Sequence, residues 1–277
     1  MDIDSEVNGL NVEAVGLRAG VEPVVQTENI GMVFGKKDNR QVVALKDLNI
    51  QVYSGEFVTL LGPSGCGKST TFHIIAGLLR PTFGRVIVDG RDVTGETGHV
   101  GYMFQKDLML PWRTVLANMT LGAEAQDMDR KQAQQEAREL LVKLGLDGRG
   151  NDYPSQLSGG MRQRVAFGRT LLMHKELLLL DEPLGALDSQ TREYMQEWLL
   201  DVFDEFKKTV LLISHDLDEA IFLADRIYVF TKHPGTVKAE IRVNLPRPRS
   251  ASDRFSLTFS QIRSKLYNLI REEEAEI

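Results

Sequence analysis

The run Gly62-Pro63-Ser64-Gly65-Cys66-Gly67-Lys68-Ser69-Thr70 has the composition of a loop that wraps an anion. Its glycines let successive backbone N–H groups turn toward one point, and a helix opening at its end adds the positive pole of its dipole. The spacing G-x-x-x-x-G-K-S assigns Lys68 to the β- and γ-phosphates of a nucleotide and the Ser69 hydroxyl to Mg²⁺. Further along, Leu177-Leu178-Leu179-Leu180 runs into Asp181-Glu182. A buried strand that ends in two carboxylates places them at the carboxyl edge of a sheet, where Asp181 can hold the same Mg²⁺ through water. Glu182 can then polarise an attacking water, a contribution of about 10²–10⁴ in rate.

A third element is Leu157-Ser158-Gly159-Gly160. A Ser-Gly-Gly turn opening a helix serves as an N-cap, or presents a second set of N–H groups to an anion. One nucleotide needs one cradle. A second cradle on the same chain finds a ligand when two copies face each other, each capping the nucleotide of its partner in a two-fold dimer.

The elements that must position these residues follow from apolar patterning. Phe57–Leu61 is a short apolar run, a buried strand leading into the glycine loop, and Thr71–Leu79 reads as the helix after it, stopped by Arg80-Pro81. Val25–Val58 alternates, with turn signals at Gly35-Lys36-Lys37-Asp38-Asn39 and Ser54-Gly55, which indicates antiparallel hairpins. Arg85–Gly90 reads as another strand and turn. From about Lys106 to Lys175 the pattern is helical. Leu140, Leu141 and Leu144 share one face of a helix over Asp129–Leu144, with Gly145 as its stop. Another helix is expected to begin just after Gly159-Gly160 and to run through Val165, Arg169 and Leu172.

Leu177–Leu180, Thr209–Ile213 and Arg226–Phe230 are strand candidates, separated by helical patterns at Thr191–Lys207 and Leu217–Ala224. That alternation argues for a parallel sheet with crossover helices. Val237–Val243 reads as an edge strand ended by Pro246 and Pro248. Phe259, Ile262, Leu266, Leu269 and Ile270 lie at helical spacing in the tail. Residues 1–24, polar and acidic, read as a mobile extension.

Composition narrows the partners. A net charge of −6 argues against general nucleic-acid binding, which needs a basic face. The single cysteine, Cys66, excludes an internal disulfide framework and fits an intracellular chain. Cys66 is either a small filler in the loop or a thiol whose alkylation blocks the pocket, and the two are compatible. The acidic start does not read as a secretion signal, and no apolar run approaches the roughly 18 residues that span a bilayer.

Together, over about residues 25–245, these motifs resemble the nucleotide-binding subunit of an ATP-binding-cassette transporter. Gly62–Ser69 is similar to the family's Walker A loop, and Asp181-Glu182 resembles Walker B with its catalytic glutamate. Leu157–Gly160 resembles the signature, although many members continue with glutamine after the second glycine and this chain has Met161-Arg162-Gln163-Arg164. The resemblance implies further roles. Gln105 becomes the Q-loop residue that senses Mg²⁺ and contacts the membrane subunit. Ala186-Leu187-Asp188 becomes the D-loop, His215 in Ser214-His215-Asp216 the switch at the γ-phosphate, and Phe34 the aromatic under adenine. Taken singly, each has a plainer reading: a surface glutamine, an N-cap before Gln190, a core histidine, a buried strand phenylalanine.

The implied fold is α/β, a P-loop NTPase (RecA-like) core with an antiparallel β subdomain and an inserted helical subdomain at about 106–175. The ATPase domain would cover 25–249 and a helical tail 250–277. The implied function is an ATPase that binds ATP and Mg²⁺, dimerises around ATP, and powers import through separate membrane permease subunits. It would lie on the cytoplasmic face of the membrane and act indirectly with a solute-binding protein. Lys106–Trp112 resembles the segment that receives a permease's coupling helix, though Trp112 could instead pack in the core. Leu110-Pro111-Trp112, Leu157–Arg164, Pro183–Asp188 and Leu245–Arg249 are most similar to importers of nitrate, sulfonates and taurine. The alternatives are an importer of an unrelated solute, a soluble cassette acting on DNA or ribosomes, and a regulatory module without turnover. Intact Glu182 and His215 argue against the last.

Overall fold

The computed structural model describes residues 21–35, 41–185 and 187–275. The expected extension therefore falls outside the described residues up to residue 20, as do most of the turn after Gly35 and Ala186. The chain opens with β1 (Val25–Gly35) and β2 (Gln41–Val52), an antiparallel pair. β3 (Phe57–Leu61) is buried at every residue and runs into α1 (Lys68–Ile75). β4 (Phe83–Val88) and β5 (Arg91–Asp92) complete an antiparallel sheet of order β2-β1-β4-β5.

β6 (Gly101–Met103) then leads into helices α2 (Val115–Met119), α3 (Leu121–Glu124), α4 (Arg130–Lys143) and α5 (Gly159–Leu171). The remaining elements alternate: β7 (Leu177–Asp181), α6 (Ser189–Phe206), β8 (Thr209–Ser214), α7 (Leu217–Leu223), β9 (Arg226–Phe230). β10 (Val237–Arg242) and α8 (Leu257–Ala275) close the chain. The second sheet has the order β10-β9-β3-β8-β7-β6, parallel except for β10 at its edge.

This central sheet is covered on both sides, which explains the run of four leucines in β7. Successive side chains point to opposite faces, so a strand buried on both faces reads as a continuous apolar run. Leu178 and Leu180 join the core shared with α4–α8, whereas Leu177 and Leu179 join the core under α1 and the antiparallel sheet. Each such leucine, moved out of water, contributes about 1.5–3 kcal/mol.

Two expectations need correction. Helix α1 begins at Lys68, not Thr71, and ends at Ile75, well before Pro81. Gly77 ends it: its φ of +73° suits glycine, and a Cβ there would lie 1.9 Å from the Glu96 carbonyl oxygen. The stretch from Lys106 to Thr114 is turn and loop; helix starts only at Val115. Among the described residues no helix is long and apolar enough to cross a membrane.

Candidate active site

Parallel pairing aligns the carboxyl ends of four strands. Leu61 of β3 pairs with Ser214 of β8, Asp181 of β7 with Ile213, and Met103 of β6 with Leu180. The glycine loop, His215, Asp181-Glu182 and Gln105 each follow one of these strands, so they emerge along one edge. In open α/β sheets that edge is where ligands bind.

Residues Gly62–Gly67 form the turn between β3 and α1, and its last glycine, Gly67, takes φ +102° and sits at the N-cap of α1 with no side-chain cap. A Cβ on Gly67 would approach Leu45 Cδ2 to 2.5 Å, so the position admits only glycine. The uncapped N–H groups of α1 remain directed at the loop. Lys68 is buried and folds back over the loop, donating from Nζ to the carbonyls of Gly62 (2.7 Å) and Pro63 (2.9 Å). Ser64, Gly65 and Ser69 are exposed, and Pro63 and Thr70 half-buried. Cys66 is buried in the core, and burial pushes its thiol pKa up although the Lys68 charge pulls the other way. That is a filler residue of low reactivity.

The Ser69 hydroxyl lies 3.5 Å from Asp181 Oδ1, and the Tyr102 hydroxyl donates to Oδ2 at 3.3 Å. Burial raises the Asp181 pKa, opposed by these two hydrogen bonds. Burial and the Asp181 charge raise the Tyr102 phenol far above its usual value, so it stays a neutral donor. Glu182 sits at φ +43°, an uncommon conformation for a residue with a side chain. The turn aims its carboxylate at two neighbours: Oε2 accepts from Gln105 Nε2 at 2.9 Å, and Oε1 lies 3.3 Å from His215 Nδ1. His215 is more than half exposed, not a core histidine.

The other candidates have local partners. Ser158 caps α5, its Oγ accepting from the Met161 N–H. Asp188 caps α6 by accepting from the Thr191 N–H. Gly160 is buried, and Gly159 faces a cavity of about 530 Å³ that it shares with Gln105, Asp107, Arg162, Gly185 and Leu187. Phe34 is 40% exposed at the hairpin end of β1, so it is not a core residue. Two positions earlier, Met32 pairs with Leu45, the residue lying under Gly67. Trp112 is 72% exposed, which removes core packing as its role.

Sequence reasoning missed Tyr102, whose strand of three residues is too short to show a period. It also missed Arg162, which donates to Asp107 Oδ2 and to the Leu157 carbonyl, tying the segment after Gln105 to the Ser158 turn.

A glycine cradle at a helix start, with a carboxylate pair and a histidine on adjacent parallel strands, defines a P-loop nucleotide hydrolase. A family model described as ABC transporter matches residues 45–185, and the chain belongs to that family as an ABC-type ATPase. It is 44% identical over 223 residues to the nitrate import ATP-binding protein NrtD of Synechocystis sp., covering 80% of this chain and 83% of that one. It is 44% identical over 235 residues to the aliphatic sulfonates import ATP-binding protein SsuB of Bacillus licheniformis, covering 84% and 89%. Among solved structures, a dimeric post-hydrolysis state of the ATP-binding cassette MJ0796 bound to ADP and Pi superposes with a TM-score of 0.69 at 32% identity. That match covers 80% of this chain and all of the other.

Proposed function

We propose that this chain is the ATP-hydrolysing subunit of an importer, working as a pair of copies against separate membrane permease subunits. One observation carries the catalytic part: Glu182 is held between Gln105 and His215 at the sheet edge that also carries Lys68, Ser69 and Asp181. Gly62–Thr70 cradles the phosphates and Lys68 leaves its loop carbonyls for the β- and γ-oxygens. Phe34 lies under the base. Glu182 accepts the proton of the attacking water, Gln105 and His215 fix its carboxylate, and His215 contacts the γ-phosphate.

Mg²⁺ fits the residues present, since a hydroxyl and a carboxylate oxygen converge and hard oxygens are the ligands this cation takes. Ser69, Asp181 and Gln105 would hold it, and bound there it neutralises charge on the phosphates.

Ser158, Gly159, Gly160 and Asp188 act across the dimer on the partner's ATP. Supporting this is their place on helix starts, with Ser158 and Gly159 exposed and presenting N–H groups, and the dimeric state of the MJ0796 cassette. We assign residues 25–249 to the ATPase domain, with 106–175 as its helical subdomain. Exposed Leu108 and Trp112 form the permease contact on the cytoplasmic face of the membrane. The names of the nitrate and sulfonate relatives support a small anion such as nitrate, a sulfonate or taurine as the solute, delivered by a solute-binding protein.

Glu182→Gln tests the core of this reading. It should bind ATP as the parent does and lose turnover by about 10²-fold or more. Turnover at the parent rate refutes the assignment of the base.

A further inference from the structure

We propose that the C-terminal segment is a positioning element for His215, acting through four arginines that grip α7. The inference rests on the role given to His215 above.

Helix α7 follows the Ser214-His215-Asp216 turn directly and has only seven residues. Isolated helices below roughly 12–15 residues do not hold in water, so α7 depends on its neighbours. Asp216 secures its first turn, with Oδ1 accepting from the N–H groups of Asp218 and Glu219. The C-terminal segment from Arg247 onward grips it at both ends. Arg263 of α8 lies 2.8 Å from the Asp218 carboxylate in that same first turn. At the other end, Arg249 donates to the Phe222 carbonyl at 2.9 Å and Arg247 to the Leu223 carbonyl at 3.0 Å. The last carbonyls of a helix lack partners within it, and cations there meet the negative end of its dipole.

The Arg249 side chain is fully buried. Burial and the neighbouring Arg247 lower its pKa to about 10, which leaves it charged at neutral pH. At the same C-terminal end of α7, the Arg254 guanidinium lies 3.7 Å from the centroid of the Phe222 ring and donates to Gln196 of α6 at 2.6 Å. Beneath these contacts, Phe259, Ile262 and Leu266 of α8 share one core with Ala220–Leu223. The grip continues to the cradle strand. Asp225 pairs with Arg247 and Arg249 through Oδ1, and its Oδ2 accepts the N–H of Phe57, the first residue of β3. The C-terminal segment from Arg247 onward therefore links the strand that leads into the glycine loop to the helix that follows His215.

The test uses the full chain with Arg254→Met, which keeps an apolar stem over Phe222, and Arg263→Gln. Hydrogen exchange over residues 213–224 should quicken about tenfold in each variant. The ATPase kcat should fall about threefold or more with KM for ATP within about twofold, because Lys68 and the glycine loop are untouched. The charge swap Asp218→Arg with Arg263→Asp should restore both readouts. Unchanged exchange in both variants overturns the proposal. So does a lower melting temperature with parent kcat at temperatures far below melting, which assigns the tail a structural role only. Exchange does not depend on what His215 does, so His215→Ala run alongside separates the two failures. Parent turnover in that variant refutes the switch reading and leaves the measured grip on α7 standing.

Discussion

Glu219, one turn into α7, is a buried carboxylate whose titration should be measurable in the stability of the whole chain. It is 5% exposed and accepts a short hydrogen bond from the Ser214 hydroxyl, next to His215. Burial raises its pKa from the usual 4.5 to about 7, and the Asp216 carboxylate adds to the rise. Ser214, Gln196 and Arg192 oppose it. The fold thus binds the proton more tightly than the unfolded chain does. The stability this gives is fully present below pH 4.5 and is lost as pH rises through about 7. A rise of this size corresponds to about 3 kcal/mol in total.

Glu219→Gln keeps the shape and the hydrogen-bonding of the protonated acid and removes the titration. The stability gap between variant and parent should therefore widen by about 2 kcal/mol between about pH 5.5 and pH 8.5. For a chain of this length that is on the order of 4 °C in melting temperature, with the variant the more stable at high pH. The assay is a set of paired melts across pH, in which all other titrations cancel. Parallel pH profiles for parent and variant would show that Glu219 is charged in the fold without cost, and the reasoning would fail.

Ser158→Arg should leave ATP binding by the monomer intact, cost about 1 kcal/mol through the lost cap on α5, and abolish ATP-driven dimerisation. Sedimentation in the Glu182→Gln background checks it, and dimers at the parent level would sink the shared-site reading. Gly67→Ala should prevent nucleotide binding, since its Cβ meets Leu45 and its φ of +102° is forbidden to alanine; ATP-analogue titration at parent affinity would contradict this. Arg226→Met removes the guanidinium that hydrogen-bonds both Glu56 and Glu240 in the interior, and should destabilise by about 3–5 kcal/mol as read by urea unfolding.

What was legible in the sequence depended on how locally each feature is determined. β7, β8 and β9 lie where their apolar runs place them, because a strand covered on both faces needs no partner to reveal itself. α4 was equally readable, with Asp129 capping it and Gly145 at φ +66° after its end. α1 was not, since its limits are set by two glycines whose conformations answer to distant atoms, Leu45 at one end and the Glu96 carbonyl at the other. β6 exists as a strand only because Leu178–Leu180 of β7 offer it a ladder, and no pattern in three residues can announce that.

The same division runs through the site. Lys68, Ser69, Asp181 and Glu182 are motif residues, placed by strand ends that sequence alone defines. Their supports come from elsewhere in the chain: Tyr102 on Asp181, Arg162 on Asp107, Arg263 on Asp218. Each links residues at least 45 positions apart, so only the folded chain brings them together. The chemistry of this protein is thus written in short segments, whereas the geometry that aims it is set by long-range pairs. Variation in the pairs can retune the ATPase without disturbing any motif.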